Sequence, residues 1–134
     1  KPNEEELESW FGQVIDTEEA YLFYGQQLLA AGAQNVLLSL GGEGAIFFTQ
    51  NKIIRGNSPK GKVVNTACAG DTLLGTFLAG YLTDQPLEDT LRKSLAAGSS
   101  TAFRKGLTDF SDVDELSKEI EIKEERVKTW GIIN

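Results

Sequence analysis

The hydrophobic and polar positions follow a period near 3.6 in some stretches and form short apolar runs in others. Leu7, Trp10 and Phe11 fall at i, i+3 and i+4 behind Asn3, Glu4, Glu5 and Glu6. A side-chain oxygen at the N-cap and negative charge in the first turn both stabilise a helix start. The spacing predicts an amphipathic helix over Glu4–Phe11, closed by Gly12. Asp16 and Glu19 have capping-box spacing, which starts a second helix carrying Ala20, Leu22, Phe23, Leu28 and Leu29 and ending at Gly32. Val36 to Leu40 is a continuous apolar run of strand length, as expected of a strand buried on both faces. Gly41, Gly42 and Gly44 form a turn before strands at Ala45 to Thr49 and Lys52 to Arg55. A loop with Pro59 follows. A helix over Ala69 to Leu82 carries apolar residues on several faces (Leu73, Phe77 and Tyr81; Leu74, Leu78 and Leu82), which predicts a place in the middle of the fold. Leu87 to Phe103 is a further helix, broken at Gly106-Leu107. Ser111 is expected to cap a short acidic helix over Asp112 to Glu119. Ile120 and Ile122 alternate with charges, as on an edge strand. Trp10 and Trp130 read as packing residues, and the tail to Asn134 carries no clear pattern. This order of elements predicts a three-layer α/β architecture.

Three clusters along this pattern could carry chemistry. Gly41-Gly42-Glu43-Gly44 follows a buried strand, where a dinucleotide-binding turn would stand. Such a turn must open a helix, however, and a strand follows here, so a hairpin turn requiring positive φ is the competing reading. Ala67-Cys68-Ala69-Gly70-Asp71 opens the apolar helix with small residues. Unpaired N–H groups and the helix dipole make such an end attractive to anions. Asp71 there either stabilises the dipole or acts as a carboxylate base beside an oxyanion site. Asn3 and Glu6 are either a cap with a solvated acid or oxygen ligands of a hydrated Mg²⁺. Cys68 is a reactive thiol at a helix N-terminus or a small residue filling a tight turn. No Walker A pattern is present.

Composition narrows the chemistry. The chain has 134 residues and no histidine, which excludes Ser-His-Asp and Cys-His nucleophiles and histidine-based metal sites. Its single cysteine cannot form an internal disulfide. A formal net charge of −7 argues against sequence-independent nucleic-acid binding. No apolar run approaches the roughly 18 residues of a membrane span, and no signal-peptide pattern is visible, so no membrane association and a cytoplasmic location are expected. Methionine is absent and Lys1 comes first, which fits either a trimmed start or a piece of a longer protein.

Taken together, the motifs resemble the ribokinase-like (PfkB) carbohydrate kinase family. Asn65-Thr66-Ala67-Cys68-Ala69-Gly70-Asp71, with Phe77, Ala79 and Gly80 following, is similar to that family's C-terminal signature. Lys1-Pro2-Asn3-Glu4-Glu5-Glu6 resembles its Asn-x-x-Glu segment. Ser39 to Ala45 resembles its nucleotide-side hairpin, and Ala96 to Ala102 with Gly106-Leu107 its adenine-side helix and loop. The Lys-Pro-Asn opening and the Val63-Val64-Asn65 lead-in look most like the hexose-phosphate branch, the 1-phosphofructokinases and tagatose-6-phosphate kinases.

The resemblance implies the C-terminal portion of a three-layer α/β/α ribokinase-like fold across residues 1–134. It implies ATP and Mg²⁺ as cofactors, a sugar phosphate as acceptor, and a homodimer in the full-length protein. Asp71 would be the general base, with the N–H groups of Cys68, Ala69, Gly70 and Asp71 as anion hole. Asn3 and Glu6 would organise Mg²⁺ and phosphates, with Lys1 near the phosphates. Ser39, Gly41 and Gly44 would lie on the ribose–phosphate side, and Ala97, Gly98 and Gly106 on the adenine side. A ribokinase or nucleoside-kinase activity, or a nucleotide-binding module without chemistry, is the alternative. Cys68 departs from the family's usual glycine, which would reshape the anion hole. Family members are more than twice as long. The resemblance therefore leaves the sugar site and lid outside this chain, which by itself would be inactive, with an exposed sheet edge where the missing strands belong.

Overall fold

A computed structural model describes residues 1–126. Trp130 lies outside the described residues. Helices α1 (Glu4–Phe11) and α2 (Glu18–Ala30) precede strand β1 (Val36–Ser39). Strands β2 (Ala45–Phe48) and β3 (Lys52–Gly56) follow, then helices α3 (Ala69–Leu82), α4 (Leu87–Ala102) and α5 (Val113–Ser117), and finally strand β4 (Ile122–Arg126). The strands form one four-stranded sheet in the order β1-β2-β3-β4. Each neighbouring pair is antiparallel.

The alternation of side chains sorts the core into two layers. Val36, Leu38, Ile46, Phe48 and Ile53 point to one face, where they pack with Leu7, Ile15 and Tyr21. Leu37, Phe47 and Ile54 point to the other, against Leu73 and Phe77 of α3, Leu91 and Leu95 of α4 and Val113. Helices therefore cover both faces, and the expected three layers are present. The apolar run at Val36–Leu38 is buried on both sides, as its lack of alternation predicts. Helix α2 approaches the sheet at Gly25, where an added Cβ would lie 2.2 Å from the Phe48 ring. β4 ends the sheet as the expected edge strand, with Lys52 of β3 paired to Glu124 at 2.9 Å.

Several local expectations are corrected. The cap of α2 is Thr17, whose hydroxyl accepts from Ala20 N at 3.1 Å, so Asp16 lies one residue before the cap. Ser111 does not cap α5. Its hydroxyl and its N–H both donate to Asp109, at 2.6 and 3.0 Å, and the cap position falls to Asp112. Helix α3 is not covered all round. Leu73 and Phe77 are buried, but Leu78 and Leu82 are exposed, and Tyr81 is only partly covered, its ring beside Phe47 and its hydroxyl accepting from Asn35 at 2.9 Å. Trp10 is also exposed rather than packed.

Candidate functional site

The site is assembled where β1 ends and three helices begin or finish. At one wall, residues 2 and 3 run beside β1: Asn3 bridges Ser39 in parallel, and Ser39 N donates to Pro2 O at 3.1 Å. Asn3 then caps α1. Its side-chain oxygen accepts from Glu6 N at 2.8 Å, and the Glu6 carboxylate accepts from Asn3 N at 3.0 Å. This is a complete capping box. Below it, the buried Tyr21 hydroxyl donates to Glu4 at 3.0 Å. Burial, and next the adjacent Glu4 carboxylate, push the Tyr21 pKa up to about 12.

The floor is the glycine turn. Gly41–Glu43 form one turn of 3₁₀ helix and β2 follows at once, so the hairpin reading holds and no dinucleotide-type helix opens here. Gly44 has φ +105°, and a Cβ there would lie 1.9 Å from Gly56 O. Only glycine fits that position. Arg55 braces the turn from behind by donating to the carbonyls of Glu43 and Gly56 at 2.8 and 2.7 Å. Ser58 braces it from the other side by donating to Gly41 O at 3.1 Å.

The opposite wall is the N-terminus of α3. Cys68 occupies its N-cap position with φ 67° and ψ 0°, left-handed geometry that suits glycine, and makes no side-chain cap bond. The backbone therefore keeps the shape a glycine would give it, at a cost of about 1–3 kcal/mol in local strain. Ala69 N donates to Thr66 O at 3.2 Å. Among the described residues, the N–H groups of Cys68, Gly70 and Asp71 have no protein acceptor. Asp71 is exposed, and none of the hydrogen bonds among the described residues reaches its carboxylate. The Lys1 amine approaches this turn: a Cβ on Gly70 would lie 3.4 Å from Lys1 Nζ. An ammonium group and the positive end of a helix thus converge at the cleft.

These walls enclose a cleft of about 790 Å³, a size typical of ligand sites. Of the residues expected at the site, Lys1, Asn3, Ser39, Gly41, Gly44, Ala69, Gly70 and Gly98 line it. Cys68 and Asp71 flank it through their chain neighbours and are exposed. Glu6 faces its own helix cap, while Glu4 and Glu5 line the cleft instead. Ala97 lies fully buried beneath Gly98, and Gly106 is exposed and away from the lining. Sequence reasoning missed the loop Ser58–Gly61 and Phe103, which close the cleft. Gly61 packs on Phe103, where an added Cβ would lie 2.6 Å from the ring. No pattern in an irregular loop announces such a contact.

The described residues contain no cluster of three or more acidic or thiol side chains able to cage a metal ion. Mg²⁺ commonly takes only one or two carboxylates and completes its shell with water and phosphate oxygens. The free N–H groups and Lys1 suit a nucleotide's phosphates, whereas of the expected metal pair only Asn3 lines the cleft, the Glu6 carboxylate being turned to its own helix cap.

Residues 1–114 match the pfkB family carbohydrate kinase profile. The chain belongs to this family. It is similar to D-tagatose-1-phosphate kinase from Bacillus licheniformis, with 42% identity over 91% of this chain and 40% of that protein. It is also similar to 1-phosphofructokinase from Bacillus subtilis, with 39% identity over 91% of this chain and 40% of that one. The chain thus spans about 40% of the length of these curated relatives. Arabidopsis thaliana ribokinase, solved with ribose and ATP, superposes with a TM-score of 0.78 at 31% identity, over 87% of this chain and 39% of the ribokinase. Phosphofructokinase-2 from Escherichia coli, in complex with substrates and products, gives 0.80 at 25% identity, over 87% and 39%. The fold is ribokinase-like. Among the described residues, no helix is long and apolar enough to cross a membrane.

Proposed function

We propose that this chain is the nucleotide-side part of an ATP-dependent kinase that phosphorylates a hydroxyl of a sugar phosphate, of the 1-phosphofructokinase or tagatose-phosphate kinase type. The observation that carries the proposal is the open N-terminus of α3, whose free N–H groups meet the Lys1 amine in a cleft large enough for a nucleotide. Ser39, Gly41 and Gly44 present backbone to the ribose and phosphates, and Gly98 lines the adenine end, where α4 packs closely on Ala69 and Leu73 of α3. Ala97 is buried in the core and Gly106 lies off the lining, so neither is assigned a contact with the nucleotide.

Phosphoryl transfer asks a protein mainly to position reactants and stabilise charge. The acceptor hydroxyl loses its proton to the Asp71 carboxylate as its oxygen bonds to the γ-phosphorus. The bond from that phosphorus to the β-phosphate bridging oxygen breaks, and the electron pair leaves with the diphosphate. Free N–H groups at Cys68, Gly70 and Asp71 stabilise charge on the transferring group. Mg²⁺ would neutralise phosphate charge there, and Asn3 at the cleft with Glu6 behind it would help to hold its water shell. The relatives named above support a sugar-phosphate acceptor. One of them is named for a tagatose 1-phosphate rather than the 6-phosphate that the sequence motifs suggest.

The test is Asp71→Asn in the full-length kinase. Turnover with hexose-phosphate acceptors falls by about 10²–10⁴-fold while ATP binding stays, as expected for loss of a general base. Near-normal turnover contradicts the assignment. Equal turnover on ribose or nucleosides in the unmutated enzyme would favour the ribokinase-type alternative, toward which the 31% identity to ribokinase points.

A further inference from the structure

Cys68 holds left-handed geometry without being glycine, and its own side chain does not cap the helix. Something else must hold the N-terminus of α3 in shape. Its carbonyl oxygen accepts two hydrogen bonds, both from Thr72: one from the N–H and one from the hydroxyl, each at 2.9 Å. The Thr72 hydroxyl in turn accepts from the Thr101 hydroxyl at 3.1 Å. Thr101 lies in the last turn of α4 and is only 2% exposed. Its oxygen accepts from Thr108 N at 3.1 Å. Each hydroxyl therefore uses its single proton once, and all the donors point the same way. The chain of bonds runs from Thr108 N–H through Thr101 and Thr72 to Cys68 O.

One end of this relay borders the cleft, and the other lies in the loop after α4. Thr108 belongs to the loop after α4, just past Gly106-Leu107. That loop is tied down further by the Thr108 hydroxyl, which bonds Ser100 and accepts from Phe110 N. At the other end, the segment leading into α3 is pinned to the same turn of α4, because Val64 N and Asn65 N both donate to Ala102 O at 2.8 and 3.1 Å. The close of α4 is thus the common anchor for the loop that follows it and for the segment leading into α3. A buried hydroxyl between two polar partners is costly to remove, because each partner is left unsatisfied.

We propose that Thr101 is a positioning residue. It fixes the strained Cys68 turn, and with it the N–H groups of α3 proposed to bind the phosphoryl, from the loop that follows α4. This rests on the kinase reading above. The loop after α4 holds Thr101 through the Thr108 N–H, and Thr101 holds the end of α3 at the geometry the transferring phosphoryl needs. The consequence is that phosphoryl placement is set through a side chain that does not touch the transferring group.

Thr101→Val removes both hydrogen bonds at nearly constant volume, and Thr101→Ser keeps them. In the full-length kinase with ATP and a hexose phosphate, Thr101→Val lowers kcat about 10- to 100-fold, the scale of a misplaced reacting group. The acceptor KM stays within about twofold, and Thr101→Ser recovers most of the loss. Thr72→Val causes a similar loss, and the double variant is no worse than either single one, as expected of members of one relay. In amide NMR spectra, Thr101→Val shifts Cys68 and Gly70 without nucleotide present. An unchanged kcat in Thr101→Val overturns the proposal. So do equal losses in the Val and Ser variants accompanied by a lower melting temperature, which would make Thr101 a packing residue. The two readings separate cleanly. If Asp71→Asn is inactive and Thr101→Val is normal, only the relay fails. If Asp71→Asn is active, the site assignment fails, and the amide shifts still report on the relay.

Discussion

The N-terminus of α1 and the N-terminus of α3 border the same cleft, yet they satisfy their backbone donors in opposite ways. At α1 the side chains of Asn3 and Glu6 take each other's N–H groups, and Glu4, Glu5 and Glu6 fill the first turn with negative charge. That helix end is closed by its own sequence and offers little to an anion. At α3 the cap residue is a left-handed cysteine without a side-chain bond, and three N–H groups stay open. A helix N-terminus carries about half a positive charge. Where the chain supplies no acceptor, that charge and those donors remain available to a phosphate. One helix start is therefore closed by its own side chains and the other is left open among the described residues, and the second is held by its neighbours rather than by its own cap.

The sharpest way to break this comparison is to substitute the acid at each end. Asp71→Asn at the open end costs about 10²–10⁴-fold in turnover. Glu6→Gln at the closed end keeps the capping box, since glutamine accepts the same N–H. Its melting temperature is expected to be unchanged, while the Mg²⁺ concentration needed for half-maximal turnover rises several-fold, about the scale lost with a metal-orienting oxygen. An unchanged Mg²⁺ dependence would leave Glu6 as a cap alone.

Backbone strain separates the two ends next. Cys68→Val places a β-branched residue at positive φ and is expected to destabilise by at least about 1 kcal/mol in denaturant unfolding. Cys68→Gly relieves strain, and its greater freedom in the unfolded chain offsets about 0.5–1 kcal/mol of that gain. The net change is expected to stay within about 1 kcal/mol, with turnover preserved. If the two variants behave alike, the left-handed geometry is not what the site depends on. At the closed end, Asn3→Ala removes the cap and is expected to cost about 1 kcal/mol.

The smallest effect lies on the loop that anchors the relay. The Asp109 carboxylate accepts from the Ser111 hydroxyl and N–H, and then from Arg104, which together bring its pKa down to about 2. A pKa lowered on folding adds stability above the unfolded value, near 3.9 for Asp, and that stability is lost as pH falls toward about 2. Ser111→Ala removes the largest of these contributions, and a carboxyl NMR titration should show the Asp109 pKa rising toward its ordinary value. An unmoved pKa would mean that the Ser111 N–H and Arg104 suffice to hold the Asp109 carboxyl low.

Much of the fold was legible because its elements have local causes. Asn3 with Glu6, the apolar run at Val36 and the 3.6 period of α3 each announce themselves within a few residues. The failures have tertiary causes. Ser111 had a suitable hydroxyl, but Asp109 competed for it and won. The apolar faces of α3 predicted full burial, yet Leu78 and Leu82 face outward because burial depends on what packs opposite, not on the helix itself. At the site, the glycines and small residues marked where backbone approaches a ligand. The Ser58–Gly61 loop and the Thr72–Thr101 bond became visible only once α4 was laid beside α3. The spacing of Asn3 and Glu6 fits a helix cap as well as metal-ligating oxygens, and the structure shows the capping box.

The most direct test of the central contrast is amide NMR on the ¹⁵N-labelled full-length kinase during titration with ATP and Mg²⁺. The account predicts large saturable shifts for Cys68, Gly70 and Asp71, whose N–H groups are free, and small ones for Asn3 and Glu6, whose N–H groups are already bonded. Shifts confined to the glycine turn and the α1 end, with Gly70 and Asp71 unmoved, would contradict it.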